Sequence, residues 1–106
     1  MDINRLRHRV TIEENQGTTN DGGGNRLPNW VPIATVWAEV RPANGSEVTI
    51  AEKRGQELTH VVTIRYRPGI DKTKHRLNFK GRIFHIEYII NKDERNIELQ
   101  IHCREG

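Results

Sequence analysis

Apolar and polar residues alternate along most of this chain, and a period of two residues is typical of β-strands with one buried face. The alternation is most regular near the end, where four apolar residues interleave with four polar ones from Ile97 to Arg104. The pattern predicts six strands, near residues 6–14, 30–41, 58–67, 77–79, 82–90 and 97–104.

Successive side chains of a strand point to opposite faces, so the odd or even position of a residue (its parity) assigns it to the buried or the exposed face. It places Val62, Ile64 and Tyr66 on the inner face of the third strand. In the fifth strand it places four residues inward, namely Phe84, Ile86, Tyr88 and Ile90.

Three segments interrupt the alternation. Residues 46–54 predict a short helix, with Ser46 as N-cap and Gly55 as the left-handed stop. The segment 16–29 is rich in glycine and asparagine and predicts a long flexible hairpin loop. Lys80-Gly81 predicts a tight turn between the fourth and fifth strands.

The fold class follows from the number and length of these elements. Six strands and one short helix predict a small antiparallel β-barrel, all-β in class, that forms a single domain over residues 1–106. A closed barrel is favoured over an open sandwich because closure removes exposed strand edges, which a domain this small cannot otherwise cover.

Composition narrows the class of protein. Hydrophobic residues make up 34% of the 106 residues. The core is therefore expected to be thin and the loops to find order against a partner. Cys103 is the single cysteine, which excludes an intrachain disulfide. We find neither a signal peptide nor a membrane span in the sequence and expect folding in a reducing bacterial cytoplasm.

The net charge of +3 is small, but the cations are concentrated. Seven of the 17 Lys and Arg residues fall between positions 65 and 82, with Asp71 as the one acid among them. They are Arg65, Arg67, Lys72, Lys74, Arg76, Lys80 and Arg82. Such a basic run predicts contact with an acidic protein surface, with a neighbouring copy, or with DNA that passes nearby; an ordinary solvated loop is the alternative.

Residues that could carry catalysis are scattered. The five histidines have no metal-ligand spacing with one another or with Cys103. The segment Gly22-Gly23-Gly24 lacks the Lys-Ser/Thr of a phosphate loop. We therefore expect no catalytic, cofactor or metal site, and no enzyme activity.

Aromatic residues leave a nucleic-acid hypothesis open. Arg65-Tyr66-Arg67 interleaves an aromatic ring with cations, as single-strand binders do, although the parity of Tyr66 favours a place in the core. Ile33 and Trp37 lie on the second face of their strand and would be exposed to solvent if no partner covered them. Together with Trp30, they are the predicted subunit contact.

The order of several segments resembles the phage head–tail joining family of adaptor, stopper or head completion proteins. The segments are "RLRHRVTIEE" at 5–14, "GGGNRLPNWVPIATVWAEVRPANGSE" at 22–47, "VTIRYRPGID" at 62–71, "RLNFKGRIFHIEYIIN" at 76–91 and "RNIELQIHCRE" at 95–105. The similarity covers nearly all of the chain, and the run Val36-Trp37-Ala38-Glu39-Val40 is its most specific part.

The resemblance implies a structural subunit of the head–tail connector. Members of this family assemble as rings, usually of twelve copies, below the portal and its adaptor, where they retain packaged double-stranded DNA and offer a surface to the tail. It further implies that the helix region lines the lumen, and the residues concerned are Ser46, Glu47, Ile50, Lys53 and Arg54. The isolated protein is expected to be a monomer. A tail-terminator ring and a single-strand nucleic-acid-binding barrel remain the alternatives.

Overall fold

The computed structural model describes residues 5–20 and 26–106 and folds them into one closed antiparallel barrel. Its strands are β1 (His8–Asn20), β2 (Arg26–Pro42), β3 (His60–Arg65), β4 (His75–Phe79), β5 (Arg82–Asn91) and β6 (Glu98–Glu105), and its helix is α1 (Gly45–Lys53). The strands close in the order β1-β2-β3-β6-β5-β4. The predicted class, a six-stranded antiparallel barrel with one short helix, is confirmed.

The barrel interior is filled by one apolar cluster to which all six strands contribute. Phe84 is its largest fully buried side chain, and Val62 and Ile64 lie inside as their parity predicts. The other members are Val10, Ile12, Ala38, Leu77, Phe79, Ile86, Leu99, Ile101 and Cys103. A small barrel packed in this way has a solid core rather than a channel, so its functional groups lie on the outer surface and at the two ends.

The β1–β2 hairpin is longer than the sequence predicts. Backbone pairing continues from Thr18 opposite Pro28 to Asn20 opposite Arg26, so the loop expected at 16–29 is shorter. Asn15 supports this extension, because its side-chain oxygen accepts hydrogen bonds from the backbone N–H groups of Gly17 and Asn29. Residues 16–20 and 26–29 of the predicted loop belong to β1 and β2, and its middle, residues 21–25, lies outside the described residues.

Helix α1 begins one residue earlier than predicted, and its N-cap is Asn44 rather than Ser46. The Asn44 side chain accepts a hydrogen bond from the Glu47 N–H, and the Glu47 carboxylate accepts one from the Asn44 N–H. This capping box satisfies two free N–H groups at once, which a cap at Ser46 would not. Gly55 follows the helix with φ of +71°, as its predicted stop role requires.

A β-bulge in β5 reverses the predicted parity of its second half. The register with β6 shifts between Ile86 and Tyr88, so Ile89 packs against the core while Ile90 is 41% exposed. The inward placement of Tyr88 and Ile90 is therefore wrong. Tyr88 instead stacks on the imidazole of His102, with ring centres 4.3 Å apart.

Strand β3 is buried on both faces along much of its length, because Val61 and Thr63 are buried as well as Val62 and Ile64. Tyr66 departs from the expected core position, since the strand ends at Arg65. Its N–H donates to the carbonyl of Ile97, and 37% of its surface remains exposed.

Two turns close the barrel ends as compact structures. Lys80 and Gly81 have φ of +53° and +86°, which identifies the predicted two-residue turn between β4 and β5. At the other end, residues 92–97 join β5 to β6, and the side chains of Asn91 and Asn96 bind one another across this turn at 2.7 Å.

Candidate functional site

A groove of about 500 Å³ opens on the outer surface of the barrel beside β2 and the end of β3. Its walls combine apolar and cationic side chains, and the residues that matter below are Leu6, Arg9, Trp37, Arg65, Tyr66 and Arg67. We refer to it as the Trp37 groove. Binding pockets for small ligands have roughly 300–1,000 Å³ and mostly apolar linings with a few polar groups, so this groove has the size and character of a recognition site.

Strand register explains why Trp37 and Arg9 meet in the groove. The two residues are direct partners in the β1–β2 ladder, so their side chains leave the same face of the sheet. The Arg9 guanidinium lies 4.7 Å from the centre of the Trp37 ring, within the range of a cation–π contact. Even so, 52% of Trp37 is exposed, which leaves most of a large apolar ring available to a partner.

Within the part of the chain that the structure describes, the cations of the groove have no acidic partners. No carboxylate in residues 5–20 or 26–106 forms an ion pair with Arg9, Arg65 or Arg67. Three guanidinium groups around two exposed aromatic rings give the groove a positive potential that favours acidic or π-rich partners.

The three predicted subunit-contact residues occupy different places. Trp37 lines the groove, whereas Ile33 is the additional residue at an irregular step of the β1–β2 ladder and is 38% exposed. Trp30 lies further along the hairpin, half-buried beneath the guanidinium of Arg76, which is 4.4 Å from its ring centre. Trp37 and Ile33 therefore remain available to a partner, while Trp30 is partly used within the chain.

The basic run from 65 to 82 does not form one surface. Arg65 and Arg67 line the groove, whereas Arg76 binds Glu13 and Arg82 binds Glu105, at 2.7 and 2.9 Å. Lys80 occupies the β4–β5 turn. Lys72 and Lys74 are exposed in the turn before β4, beside an Asp71 carboxylate whose pKa is lowered by its hydrogen bonds from Thr73. The cations that can meet a partner are thus Arg65, Arg67, Lys72 and Lys74, and Lys80 at the other end.

The residues of the predicted lumen-facing segment also fall into two groups, one bound within the fold and one exposed. Glu47 has a structural role. Each of its two carboxylate oxygens accepts a hydrogen bond from Arg41 at 2.8 Å, and one of them also accepts the Asn44 N–H of the capping box. These bonds, the Arg41 bond above all, lower the pKa of Glu47 to about 2. Ser46, Ile50, Lys53 and Arg54 are exposed, although the Arg54 guanidinium also lies 5.3 Å from the ring centre of Tyr88.

Two titratable side chains that could carry chemistry are buried in structural roles. The Cys103 thiol lies in the core, and burial raises its pKa to about 12, so a reactive thiolate is disfavoured. His102 is 3% exposed beneath Tyr88, and burial lowers its pKa. In the described part of the chain, no three His, Cys, Asp or Glu residues cluster as metal ligands would. The described helix is also too short to cross a membrane.

Sequence reasoning missed Arg9 and Leu6 as site residues and misplaced Tyr66. The signal for Arg9 lies in the strand register, because its position opposite Trp37 depends on how β1 and β2 align. Leu6 belongs to the first predicted strand, near residues 6–14, but β1 begins only at His8. Alternation marks Leu6 as an apolar inward position and cannot show that it lines a groove together with the end of β3. The exposed position of Tyr66 could have been predicted from the Pro68-Gly69 turn that follows it. A turn so close ends the strand before Tyr66, and its side chain then no longer points into the barrel.

Comparison with known proteins bears on what the groove serves. A family model described as phage head completion protein matches residues 1–106. The solution structure of protein SF1141 from Shigella flexneri 2a is 32% identical, with a TM-score of 0.77 over 100% of this chain and 97% of that one. A chain in the virion of a native gene transfer agent particle has the same fold, with a TM-score of 0.64, 23% identity and 96% coverage of both chains. No curated protein sequence matches this chain.

Proposed function

Because this chain belongs to the phage head completion protein family, a family of structural virion proteins, we propose that it is a subunit of the head–tail connector ring. In this role twelve copies close the DNA-filled capsid below the portal and adaptor and present the surface on which the tail docks. Assembly takes place in the bacterial host cytoplasm, and the final location is the head–tail interface of the virion.

The exposed outer surface of a filled barrel is the observation that carries this proposal. Apolar side chains occupy the barrel interior, whereas other large apolar side chains face outward on several elements. Leu27, Ile33, Trp37, Ile50, Tyr66, Ile90 and Ile97 are each between 37% and 52% exposed. Two of them, Trp37 and Tyr66, line one groove, and a contiguous exposed apolar patch of this kind is typical of an interaction surface.

The ring explains how so small a protein acts on a DNA-wide channel. One barrel of 106 residues cannot surround a duplex, but a head-to-tail contact repeated by a closing rotation can. In this arrangement helix α1 supplies exposed Ile50 and Lys53 toward the lumen, and duplex DNA passes without being read in sequence. The relative of like fold in a gene transfer agent particle is itself a virion component, which supports such a role.

Two partners besides DNA are proposed. The portal–adaptor complex lies on the head side, and the tail terminator or tube proteins lie on the tail side. Lys72 and Lys74 contact an acidic surface of one of them, because they are exposed in the described structure and have no ion pair there.

One specific observation favours a second candidate function. The Trp37 groove places exposed aromatic rings among three arginines, and single-stranded nucleic acid binds to such surfaces by base stacking and phosphate contacts. A tail-terminator ring is the third candidate and differs from the connector in the partner that it binds first.

Affinity capture separates the three candidates. The tagged protein is incubated in turn with purified portal–adaptor complexes, with purified tails, and with a labelled single-stranded DNA oligonucleotide. The connector proposal predicts capture by the portal–adaptor complex without prior contact with tails. Capture by tails alone would support the terminator, and salt-dependent binding of the oligonucleotide at micromolar protein would support the nucleic-acid barrel.

A further inference from the structure

The two walls of the Trp37 groove are strand segments that separate from one another. The ladder between β2 and β3 ends where Ala38 pairs with Ile64. Beyond this pair, the groove is lined by consecutive residues of both segments, 35–37 of β2 and 65–68 at the end of β3. Successive side chains of a strand point to opposite faces, so a groove that contacts consecutive residues runs along the edge of β2.

The backbone of β2 is open along this edge. Alternate residues of an antiparallel strand direct their N–H and C=O groups to the same side. The bond from the Ala43 N–H to the carbonyl of Thr59 shows that the odd-numbered residues near it face β3, and no register shift intervenes between residues 34 and 42. Thr35 therefore directs its N–H and C=O groups into the groove, where no strand of the described chain pairs with it.

Two prolines limit the open edge to a short stretch. Pro28 and Pro32 lie in the part of β2 that pairs only with β1 among the described strands. Proline lacks an N–H group and is found on edge strands, where it prevents uncontrolled pairing with other chains. The stretch 33–37, which borders the groove, contains no proline, so the edge admits a short extended segment.

The side chains around the open edge favour carboxylates. Arg9 and Arg65 are exposed, and neither they nor Arg67 has a carboxylate partner among the residues that the structure describes. Glu98, which pairs with Arg65 in the β3–β6 ladder, binds Lys92 at 3.4 Å instead. The adjoining β5–β6 turn has as many acids as cations, so it leaves the positive charge of the groove uncompensated.

We propose that the Trp37 groove binds an extended acidic segment of another virion protein, which adds to the open edge of β2 as an extra strand. Backbone bonds to Thr35 hold the segment, its carboxylates pair with the three groove arginines, and its apolar side chains pack on Trp37 and Tyr66. In strand addition of this kind the backbone supplies affinity and the side chains supply specificity. The inference rests on the proposed connector function, and it names the chemistry of the partner that this surface takes.

A second copy of this chain does not offer such a segment within its described residues. Each acidic residue on a described strand already has a basic partner in its own chain, and the other described acids lie on the helix or in turns and loops. The strand acids are Glu13, Glu14, Glu39, Glu87, Glu98 and Glu105. Single-stranded nucleic acid would contact the arginines and the rings but would leave the open backbone of β2 unpaired. A segment of a different protein therefore fits the groove better.

Peptide titration followed by NMR tests the proposal. The isotope-labelled protein is titrated with an end-blocked peptide of alternating Glu and Val residues. We expect the amide signals of residues 35–37 and 65–67 to shift on binding. Shifts confined to other parts of the molecule, or no binding at millimolar peptide, would overturn the proposal.

Two control peptides separate the contributions of charge and backbone. One carries Lys in place of Glu, and the other has the same sequence with methylated backbone nitrogens, which cannot donate hydrogen bonds. Each should bind at least about tenfold more weakly, because the first meets like charge and the second cannot form the ladder. Equal affinity of the methylated peptide would show that no strand is added, and this test needs no change in the protein.

Charge reversal in the protein localises the site. Arg65→Glu should weaken binding of the Glu–Val peptide about tenfold. The matched control is Arg95→Glu, an identical charge change at an exposed residue that does not line the groove, and it should cost no more than about twofold because salt screens more distant charges. Circular dichroism verifies that both variants are folded. Equal losses would show that the peptide responds to the general positive charge and would contradict the proposal.

The remaining outcomes separate this inference from the nucleic-acid alternative and from the connector function. A single-stranded oligonucleotide that displaces the peptide with equal or higher affinity would assign the groove to nucleic acid. If Arg65→Glu protein loses the peptide but still joins heads to tails, the connector function stands and the occupant assigned to the groove is wrong. If the unmodified protein binds the peptide in the groove but is captured by neither portal–adaptor complexes nor tails, the chemistry of the groove stands and the connector function is wrong.

Discussion

The guanidinium of Arg76 binds the carboxylate of Glu13 across the β1–β4 pair, with Arg76 Nε 2.7 Å from Glu13 Oε1. The same guanidinium covers the ring of Trp30. A residue that sequence reasoning grouped with partner-binding cations therefore holds the long hairpin to the barrel.

Substitution of Arg76 with Ala should destabilise the protein by about 1–3 kcal/mol, because it leaves a largely buried carboxylate at Glu13 without its charged donor. The side chains of Arg76 and Glu13 are only 22% and 12% exposed. Urea unfolding measures the change. Lys74→Ala, at an exposed position two residues earlier, is the control and should change stability by no more than about 0.5 kcal/mol. Equal stability of the two variants would contradict the structural role of Arg76.

Glu47 should make stability depend on pH in the acid range. Its hydrogen bonds to Arg41, together with the capping bond from Asn44, lower its pKa from 4.5 to about 2 in the folded state. The stability that it contributes is therefore present above about pH 4.5 and is lost as the pH falls toward 2. Glu47→Gln should cost about 1–2 kcal/mol near neutral pH and weaken this dependence in urea titrations, whereas Glu52→Gln on the exposed side of the helix should do neither.

His102 should make the stability of the protein depend on pH in a higher range than Glu47 does. Burial lowers its pKa below the ordinary value of 6.5, so the unfolded chain takes up a proton that the folded barrel excludes. Stability is then full above about pH 6.5 and falls as the pH decreases from there toward the folded pKa. His102→Phe keeps the stacking on Tyr88 and should flatten this slope in thermal melts between about pH 7 and pH 5. Some slope remains from His60, whose pKa is also lowered by burial; an unchanged slope would refute the role of His102.

Lys72 and Lys74 should matter for assembly and not for folding. Their replacement by Glu reverses the exposed charge of the turn before β4 without touching an ion pair described in the structure. We expect head–tail joining in a complementation assay to be blocked while the melting temperature stays unchanged. Arg76 is left intact in this variant, because its loss would unsettle the fold and confound the result. Normal particle assembly would show that these lysines contact no partner.

The closed sheet could be predicted from the sequence because β1 and β6 alternate regularly and some of the turns carry their own signatures. Lys80-Gly81 is one such turn, and the helix bounds fall within one residue of those expected. Alternation failed in β5, where residues 86–90 read Ile-Glu-Tyr-Ile-Ile and offer apolar side chains in either parity. The β-bulge determines which of these side chains face the core, and its position depends on how β5 pairs with β6.

The Trp37 groove could be predicted only in part for a related reason. Trp37 was recognised as an outward aromatic residue, since its strand is apolar on both faces. Its neighbours Arg9 and Tyr66 come from other segments, and only the three-dimensional register brings them together. The separation of the basic run into paired and unpaired cations likewise depends on where Glu13 and Glu105 lie in the closed barrel.

The most direct measurement of the central claim is an in vitro joining assay. DNA-filled heads and tails are prepared from a lysate of the phage that lacks this gene, the purified protein is added, and joined particles are counted by electron microscopy. We predict that unjoined heads and tails convert to complete particles only when the protein is incubated with the heads before the tails. Conversion that requires prior incubation with the tails, or no conversion at all, would contradict its role as a connector subunit.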